Sequence, residues 1–512
     1  MPSLTPIIYA VVGVIALVSA LLGLSRGLYR QGVRTVTIVV AAVLSFIAVG
    51  LFYSSLSAKL DGMTVTDLIN ILVERGIVPA DTDTSLIENL DMQTAELILA
   101  LPLGLVVAPL LFVICFIVSG LILLILHIVI CALCGFKSNR NNFLTRVLGL
   151  ILGLFQGLAI AGLILMPLIG IGNMAKDTLA VLEEEAPEEE LTKTCSEYYY
   201  TYADEFVENP AIKMYSTLGI NALYEKIATV DVDDKTDTKL TAIAPDAALV
   251  AKDVFKLKGA DMNNLTAEDE EALNSILETI DNDPYLGEML SGVLRATSSA
   301  YSNGDIAFNI EDPFSSIIAE AAKIFSTSSR ENVTTDIKTI TDVILILSRD
   351  GVLSSFNEGS DAMLDALTAK DADGNTTVNK VITTIRSNER TKPLVTVITK
   401  ISLSVMSDQA GIDEDVVETF ENIKESINND VLSIKKENYE TEEEYVAEVS
   451  TAIDTMLKDN AIELEKDIVD TMAEYVADNF SDIDHIDEDE VNDIILSYYE
   501  AYLKSLETPP TP

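Results

Sequence analysis

Between Arg146 and Gly172 the chain reads RVLGLILGLFQGLAIAGLILMPLIGIG, and from Val147 to Gly172 only Gln156 carries a polar side chain. A helix of that length measures roughly 39 Å at about 1.5 Å per residue, enough to cross the hydrocarbon core of a bilayer with some tilt. A run this apolar has no stable place on a water-facing surface, so it points to a membrane solution for what precedes it. Gly149, Gly153 and Gly157 recur at every fourth residue, which puts them on one helix face and leaves a shallow groove. Where lipid removes the usual hydrophobic drive, such grooves let helices close on one another. The same feature suits association between copies as a homo-oligomer.

Charge divides the chain at the same place. The 512 residues carry a net charge of −46, yet the first 172 hold eight basic and eight acidic residues. The surplus therefore lies entirely after Gly172, where 72 acidic residues face 26 basic ones. Such a surface repels phosphates and excludes nucleic acid as a partner. It suits cations or a basic partner, while a solvated acidic face is the commoner explanation of such a surface.

Taken in order, the first apolar stretch is Ile7 to Leu24, with no Lys or Arg before it, so it is expected to be a retained span rather than a cleaved leader. The linker Ser25–Arg34 contains Arg26, Arg30 and Arg34 and no acid, and a second span is expected over 35–53. Residues 54–96 hold eight acids and amphipathic fragments at Val65–Val73 and Leu86–Leu90, which predict a partly helical loop on the membrane surface. In the apolar run Leu97–Cys134, Pro102 and Pro109 predict a kinked lead-in followed by one span over about 104–134. The fourth span is 147–172.

Lys137, Arg140 and Arg146 mark the linker after the third span, again without an acid. Cytoplasmic loops collect Lys and Arg, so both basic linkers are expected inside. The amino terminus, the 54–96 loop and the long carboxyl part are then expected outside the cell membrane.

The motif GLSRGLYRQG at Gly23–Gly32 resembles the arginine- and glycine-rich turn between the first two spans of colicin V production proteins. The stretch RVLGLILGLFQGL at Arg146–Leu158 is similar to that family's closing helix. The resemblance covers about residues 5–175 and implies a bacterial inner-membrane protein linked to colicin export, envelope function or stress tolerance. It supplies no catalytic residues. Some members carry an added extracytoplasmic domain, such as a serine protease. This chain departs from the pattern in its interrupted third run and its long carboxyl part.

Beyond an acidic neck at 176–190, apolar residues recur at helical spacing: Leu240, Ile243, Val250, Val254 and Leu257; Leu273, Ile276, Leu277 and Ile280; Val416, Phe420, Ile423 and Ile427; and Val446, Val449, Ile453, Met456 and Leu457. The expected fold class is all-α, with a four-span anchor followed by an acidic helical domain over 191–508. That domain is expected to divide near 303–313, and 509–512 is expected to be a disordered tail.

Residues that could carry chemistry are sparse. The two histidines, His127 and His485, are far apart, so no paired-histidine metal site is expected outside the membrane. Cys131 and Cys134 form a CxxC inside an apolar helix, where packing explains them, and Cys195 lacks a nearby partner. Asp371–Asn375 imitates a calcium loop, but in that register Ala369 and Lys380 stand where the first and last acids belong, so a turn is expected. The acidic groups in Glu183–Glu190 and Asp487–Glu490 are expected to be solvated rather than catalytic. No cofactor is expected. The tyrosines of Glu197–Tyr202 suit helix packing or an interfacial belt.

The first functional expectation is therefore a membrane-anchored interaction or structural protein. The second is an oligomeric transporter or channel component, which the low polarity of the spans disfavours. A hydrolase of unrecognised type in the outer part is the third.

Overall fold

The computed structural model describes residues 5–60, 62–75, 85–133, 143–185, 187, 189–233, 236–258, 260–261, 265–306, 314–355, 366–367, 369–371, 375–406, 414–460, 462, 464 and 466–507. Among them the chain is helical almost throughout. The strands are one antiparallel hairpin, β1 (Thr229–Asp233) with β2 (Thr236–Lys239). The all-α expectation fits.

Among the described residues three helices are long and apolar enough to cross a membrane: Thr5–Leu60, Met92–Leu126 and Phe143–Glu185. The expected number was four. The difference lies in α1 (Thr5–Leu60), which runs through both of the first two apolar stretches and through the linker between them. Residues on both sides of Gly27 are good helix formers, so the arginine-rich linker is helical rather than a loop. Gly27 alone leaves helical geometry, at φ 75° and ψ 166°, where a side chain is strongly disfavoured.

That one residue turns the chain back on itself. The last apolar helix, Phe143–Glu185, meets Gly23 and Gly27 at Gly149, Ser19 and Ala20 at Gly153, and Ala16 at Gly157. Gln31 and Thr35 hydrogen-bond to Gln156 of the same helix. Residues 16–19 and 31–35 therefore lie at one level, and α1 consists of two oppositely directed arms.

The acidic loop contains α2 (Val65–Glu74) and α3 (Ser85–Glu88). Thr64 and Asp67 cap α2 reciprocally, with Thr64 N donating to Asp67 Oδ2 at 3.0 Å and Asp67 N to Thr64 Oγ1 at 3.2 Å. The third run begins with α4 (Met92–Pro102), passes through one π-helical turn at Leu103–Val107 and continues as α5 (Ala108–Leu133). The two prolines bracket that irregular turn, as their missing N–H groups require. The fourth apolar run belongs to α6 (Phe143–Glu185), which extends unbroken through most of the expected neck.

The chain then forms α7 (Glu190–Tyr202), α8 (Asp204–Val207), α9 (Pro210–Thr217), α10 (Ile220–Ile227), the β-hairpin and α11 (Leu240–Leu257). Next come α12 (Ala267–Asn282), α13 (Pro284–Asn303), α14 (Phe314–Ser326), α15 (Val333–Arg349) and α16 (Val352–Ser355). The last helices are α17 (Thr377–Arg386), α18 (Pro393–Met406), α19 (Glu414–Ser426), α20 (Glu442–Asp459), α21 (Lys466–Phe480) and α22 (Glu488–Glu507).

Two compact units result: Met1–Lys256 with Glu278–Gly292, and Leu257–Leu277 with Val293–Pro512. This division differs from the one expected at 176–190, because α7 to α11 group with the apolar helices. The second expected boundary, 303–313, falls mostly outside the described residues, as does 509–512. In the second unit, Phe420, Ile423, Tyr445, Val449, Ile453, Val469, Met472, Val491 and Ile494 form a core shared by α19 to α22. A smaller core joins Ile324, Val381, Ile382, Ile385, Val395 and Leu496.

Candidate functional site

The seam between α1 and α6 is built from residues too small to hold the helices apart. A Cβ on Gly157 would lie 2.6 Å from Ala16 Cα, and one on Gly149 would lie 2.8 Å from the Gly27 carbonyl carbon. At Gly153 it would run into the carbonyl oxygen of Ser19. All three expected packing glycines face the same neighbour, and the backbones touch there.

One turn away the seam becomes polar. Gln156, 4% exposed, donates to the Gln31 carbonyl at 2.8 Å and to Thr35 Oγ1, and its own carbonyl accepts from Gln31 Nε2. Gln31 is fully buried. The sequence reading placed Gln31 in a linker and missed it. Its signal was Gln156 itself, a lone amide in an apolar run that needs a partner. Ser45 and Ser119 both donate to the carbonyl of Ala41, at 2.6 and 3.3 Å, tying the second arm of α1 to α5.

Of the basic residues expected to set topology, Arg26, Arg30 and Arg34 flank the Gly27 break on helical backbone. Arg30 and Arg146 are exposed, whereas Arg26 and Arg34 are half-buried. Lys137 and Arg140 lie outside the described residues, as does Cys134, and nothing is described of the His127 and Cys131 side chains.

The break in the third run is the second feature with functional character. Pro109 has no N–H to give the Leu105 carbonyl, and Tyr224 Oη donates to that oxygen at 2.8 Å instead. Tyr285 Oη donates to the Leu97 carbonyl within α4, a second long-range tyrosine hydrogen bond to this run. No missing proline N–H explains that one, since Pro102 ends α4 and its i−4 carbonyl is that of Ile98. Gly104 admits Leu240 of α11 against the π turn, where a side chain would collide with it. Beside α4 lies an open groove of about 1280 Å³, walled by Tyr53, Leu60, Met92, Glu96 and Leu103 among others. The prolines were the legible half of this arrangement. The tyrosines that complete it come from far along the chain.

The charged candidates turn out to be structural fittings. Glu183 accepts from Ser196 Oγ at 3.1 Å and from Tyr200 Oη at 3.4 Å, which fastens α7 to α6. Asp487 and Glu490 cap α22 reciprocally, at 2.9 and 3.1 Å. Residues 372–374 of the pseudo-calcium loop lie outside the described residues. On either side Lys370 and Thr376 form an isolated antiparallel bridge, Asp371 N donates to the Asn375 carbonyl at 3.0 Å, and Lys380 is in ion-pair range of Asp371 and Asp350. The fully buried Asp336 accepts from Arg390 Nε and Asn388 Nδ2, both at 2.8 Å, while Arg390 also reaches the Ile324 carbonyl. That network locks α14, α15 and the turn before α18. Among the described residues no group of three or more His, Cys, Asp or Glu could hold a metal ion. His485 is exposed, and Cys195 is a half-buried free thiol.

One carboxylate is strongly perturbed. Lys176 at 2.6 Å and Lys213 both hydrogen-bond to Glu208 and hold its pKa at about 2, against an ordinary 4.5. This clamp joins α6 to the start of α9.

Compared with known proteins, the chain matches no family model, no curated protein and no solved structure.

Proposed function

We propose that this chain is a membrane-anchored interaction or structural protein of the bacterial cell envelope, akin in its apolar part to the colicin V production proteins. One observation carries the reading. The Nε2 group of Gln31, the amide of Gln156 and the hydroxyls of Thr35, Ser45 and Ser119, polar groups of the apolar helices, are engaged in bonds between or within those helices. Gln31 Oε1, Arg34 Nη1 and Tyr53 Oη, by contrast, are buried without a partner among the described residues. Polar side chains spent on holding helices together do not line a path for a solute. The bundle then serves to hold and orient the rest of the chain.

In this reading the two arms of α1 each cross the bilayer, giving four passes from three helices. The Gly27 break with Arg26, Arg30 and Arg34 lies on the cytoplasmic side, together with the linker before α6. The acidic stretch after Gly172 then faces outward and offers its negative surface to an envelope partner.

Two measurements test this. An impermeant thiol reagent applied to intact cells is expected to spare Tyr29→Cys and to label Asn70→Cys and Glu331→Cys, all exposed positions. The reverse labelling overturns the orientation. Full-length chain in sealed vesicles is expected to pass neither ions nor small solutes, and a specific flux would replace the anchor with a conduit.

A further inference from the structure

Helices α9 and α10 follow the last apolar run in sequence, yet they pack against that run rather than beyond it. Val207 lies 2.7 Å from where a Cβ on Gly172 would stand, and the Tyr224 ring lies against Gly170. Tyr215, 2.8 Å from the corresponding point on Gly162, and Ile220, at 3.4 Å, reach ten residues further down α6, a descent of about 15 Å. Ile212, fully buried, completes a cluster with Ile8, Val12, Ala161, Ile169 and Tyr215. At the upper limit, Asn173 Nδ2 donates to Ser216 Oγ at 3.1 Å, where α6 first becomes polar. Gly162 and Gly170 of α6 thus form the notch that seats this hairpin, and Gly172 seats Val207 of α8 just before it.

We propose that α9–α10 is an interfacial hairpin whose outward face rests in the boundary layer of the bilayer, so that its partner is the lipid surface. The inference rests on the reading of α6 as a membrane-crossing helix. Of the last 15 Å or so of such a run, the upper end lies where headgroups meet acyl chains, and the lower end, which the side chains of Tyr215 and Ile220 reach, lies within the hydrocarbon.

Its chemistry fits that depth. From Met214 to Tyr224 the sequence MYSTLGINALY carries no charge. The charges stand at the two ends and are engaged: Lys213 pairs with Glu208, Glu225 with Lys239 at 2.8 Å, and Lys226 lies 5.5 Å over the Phe46 ring. Gly219, at φ 89°, makes the turn between the helices. Beside it Leu218 is 69% exposed, and Met214 is partly so. Ile7, Val11 and Leu168 on the neighbouring helices are exposed as well, which continues the apolar surface. Tyr200 does not share this level, since its partner Glu183 lies ten residues, or about 15 Å, past Asn173. Of the two expectations for the tyrosines of Glu197–Tyr202, helix packing or an interfacial belt, the buried Tyr199 and the Tyr200–Glu183 bond fit the first.

The test uses the full chain in phosphatidylcholine/phosphatidylglycerol vesicles, with its four cysteines replaced by serine. Nitroxide labels are placed singly at Leu218→Cys, Met214→Cys, Leu168→Cys and Lys239→Cys, and collision with oxygen is compared with collision with a water-soluble nickel chelate. Leu168 is expected to report acyl chains, Lys239 water, and both hairpin positions the boundary, with oxygen favoured severalfold over nickel. Nickel access at Leu168 removes the membrane reading of α6 and the inference with it. Oxygen access at Leu168 together with nickel access at Leu218 and Met214 overturns the hairpin inference alone. Labels at 218 and 214 that neither reagent reaches also overturn it, because a protein surface then covers them.

Discussion

At the scale of single residues, Gly153 and Glu208 respond to different physics. A side chain at 153 has the Ser19 carbonyl and Ala20 backbone in its way, so a helix must move rather than a rotamer. Gly153→Leu is expected to destabilise the chain by about 1–3 kcal/mol, the usual range for overpacking, read as a lower melting temperature in detergent. Unchanged melting would mean that the seam contributes no packing energy. The Glu208 carboxylate is held ionised by two lysines, with its folded pKa depressed to about 2 from an ordinary 4.5. A depressed acid stabilises the fold above its unfolded pKa and loses that contribution as pH falls through the folded value. Stability is therefore expected to decline between about pH 4.5 and pH 2 in part through this group. In Glu208→Gln that part of the acid titration should flatten, which circular dichroism at a series of pH values measures.

Between elements, the π turn in the third apolar run depends on a residue more than a hundred positions away. Tyr224→Phe leaves the Leu105 carbonyl without its donor, and about 1–3 kcal/mol is the ordinary cost of an unpaired buried acceptor. Pro109→Ala supplies a backbone N–H where none existed. The penalty of Tyr224→Phe is then expected to shrink in the Pro109→Ala background, which a double-mutant cycle on thermal stability reads directly. Equal penalties in both backgrounds would separate the tyrosine from the proline. The network around Asp336 makes a comparable prediction in the second unit. Asp336→Ala strands Arg390 and Asn388, and a loss of about 3 kcal/mol is expected, at the lower end for a broken buried pair because Arg390 keeps some access to water.

For the whole molecule, the division into units predicts which fragment behaves as a soluble protein. Residues 293–507 contain both cores of the second unit and none of the first, and are expected to be helical and monodisperse, with a melting temperature that rises with salt as the acidic surface is screened. A fragment beginning at residue 190 keeps α9 and α10 but lacks the α6 notch. It exposes Ile212, Tyr215, Ile220 and Tyr224, and is expected to self-associate or bind vesicles in size-exclusion and flotation assays. A monodisperse 190–507 fragment that ignores vesicles would contradict the seating of that hairpin on α6.

Much of this was legible in the chain itself. Apolar run length, the every-fourth-residue glycines, the two prolines and the spacing of Phe420, Ile423 and Ile427 are local signals, because a helix brings residues three and four apart onto one face whatever surrounds it. So is the cap at Thr266, whose backbone N and Oγ1 meet Asp269 Oδ2 at 2.8 and 2.7 Å. Tertiary structure decided the rest. No window around Gln31 announces its partner at 156, and nothing near Pro109 names Tyr224, because a buried amide or an orphaned carbonyl states a need without stating where it is met. Hydropathy placed Pro210–Ile227 in water on its own composition. Only the glycine notch of α6, which exists when the helices are packed, brings those residues down beside the apolar run.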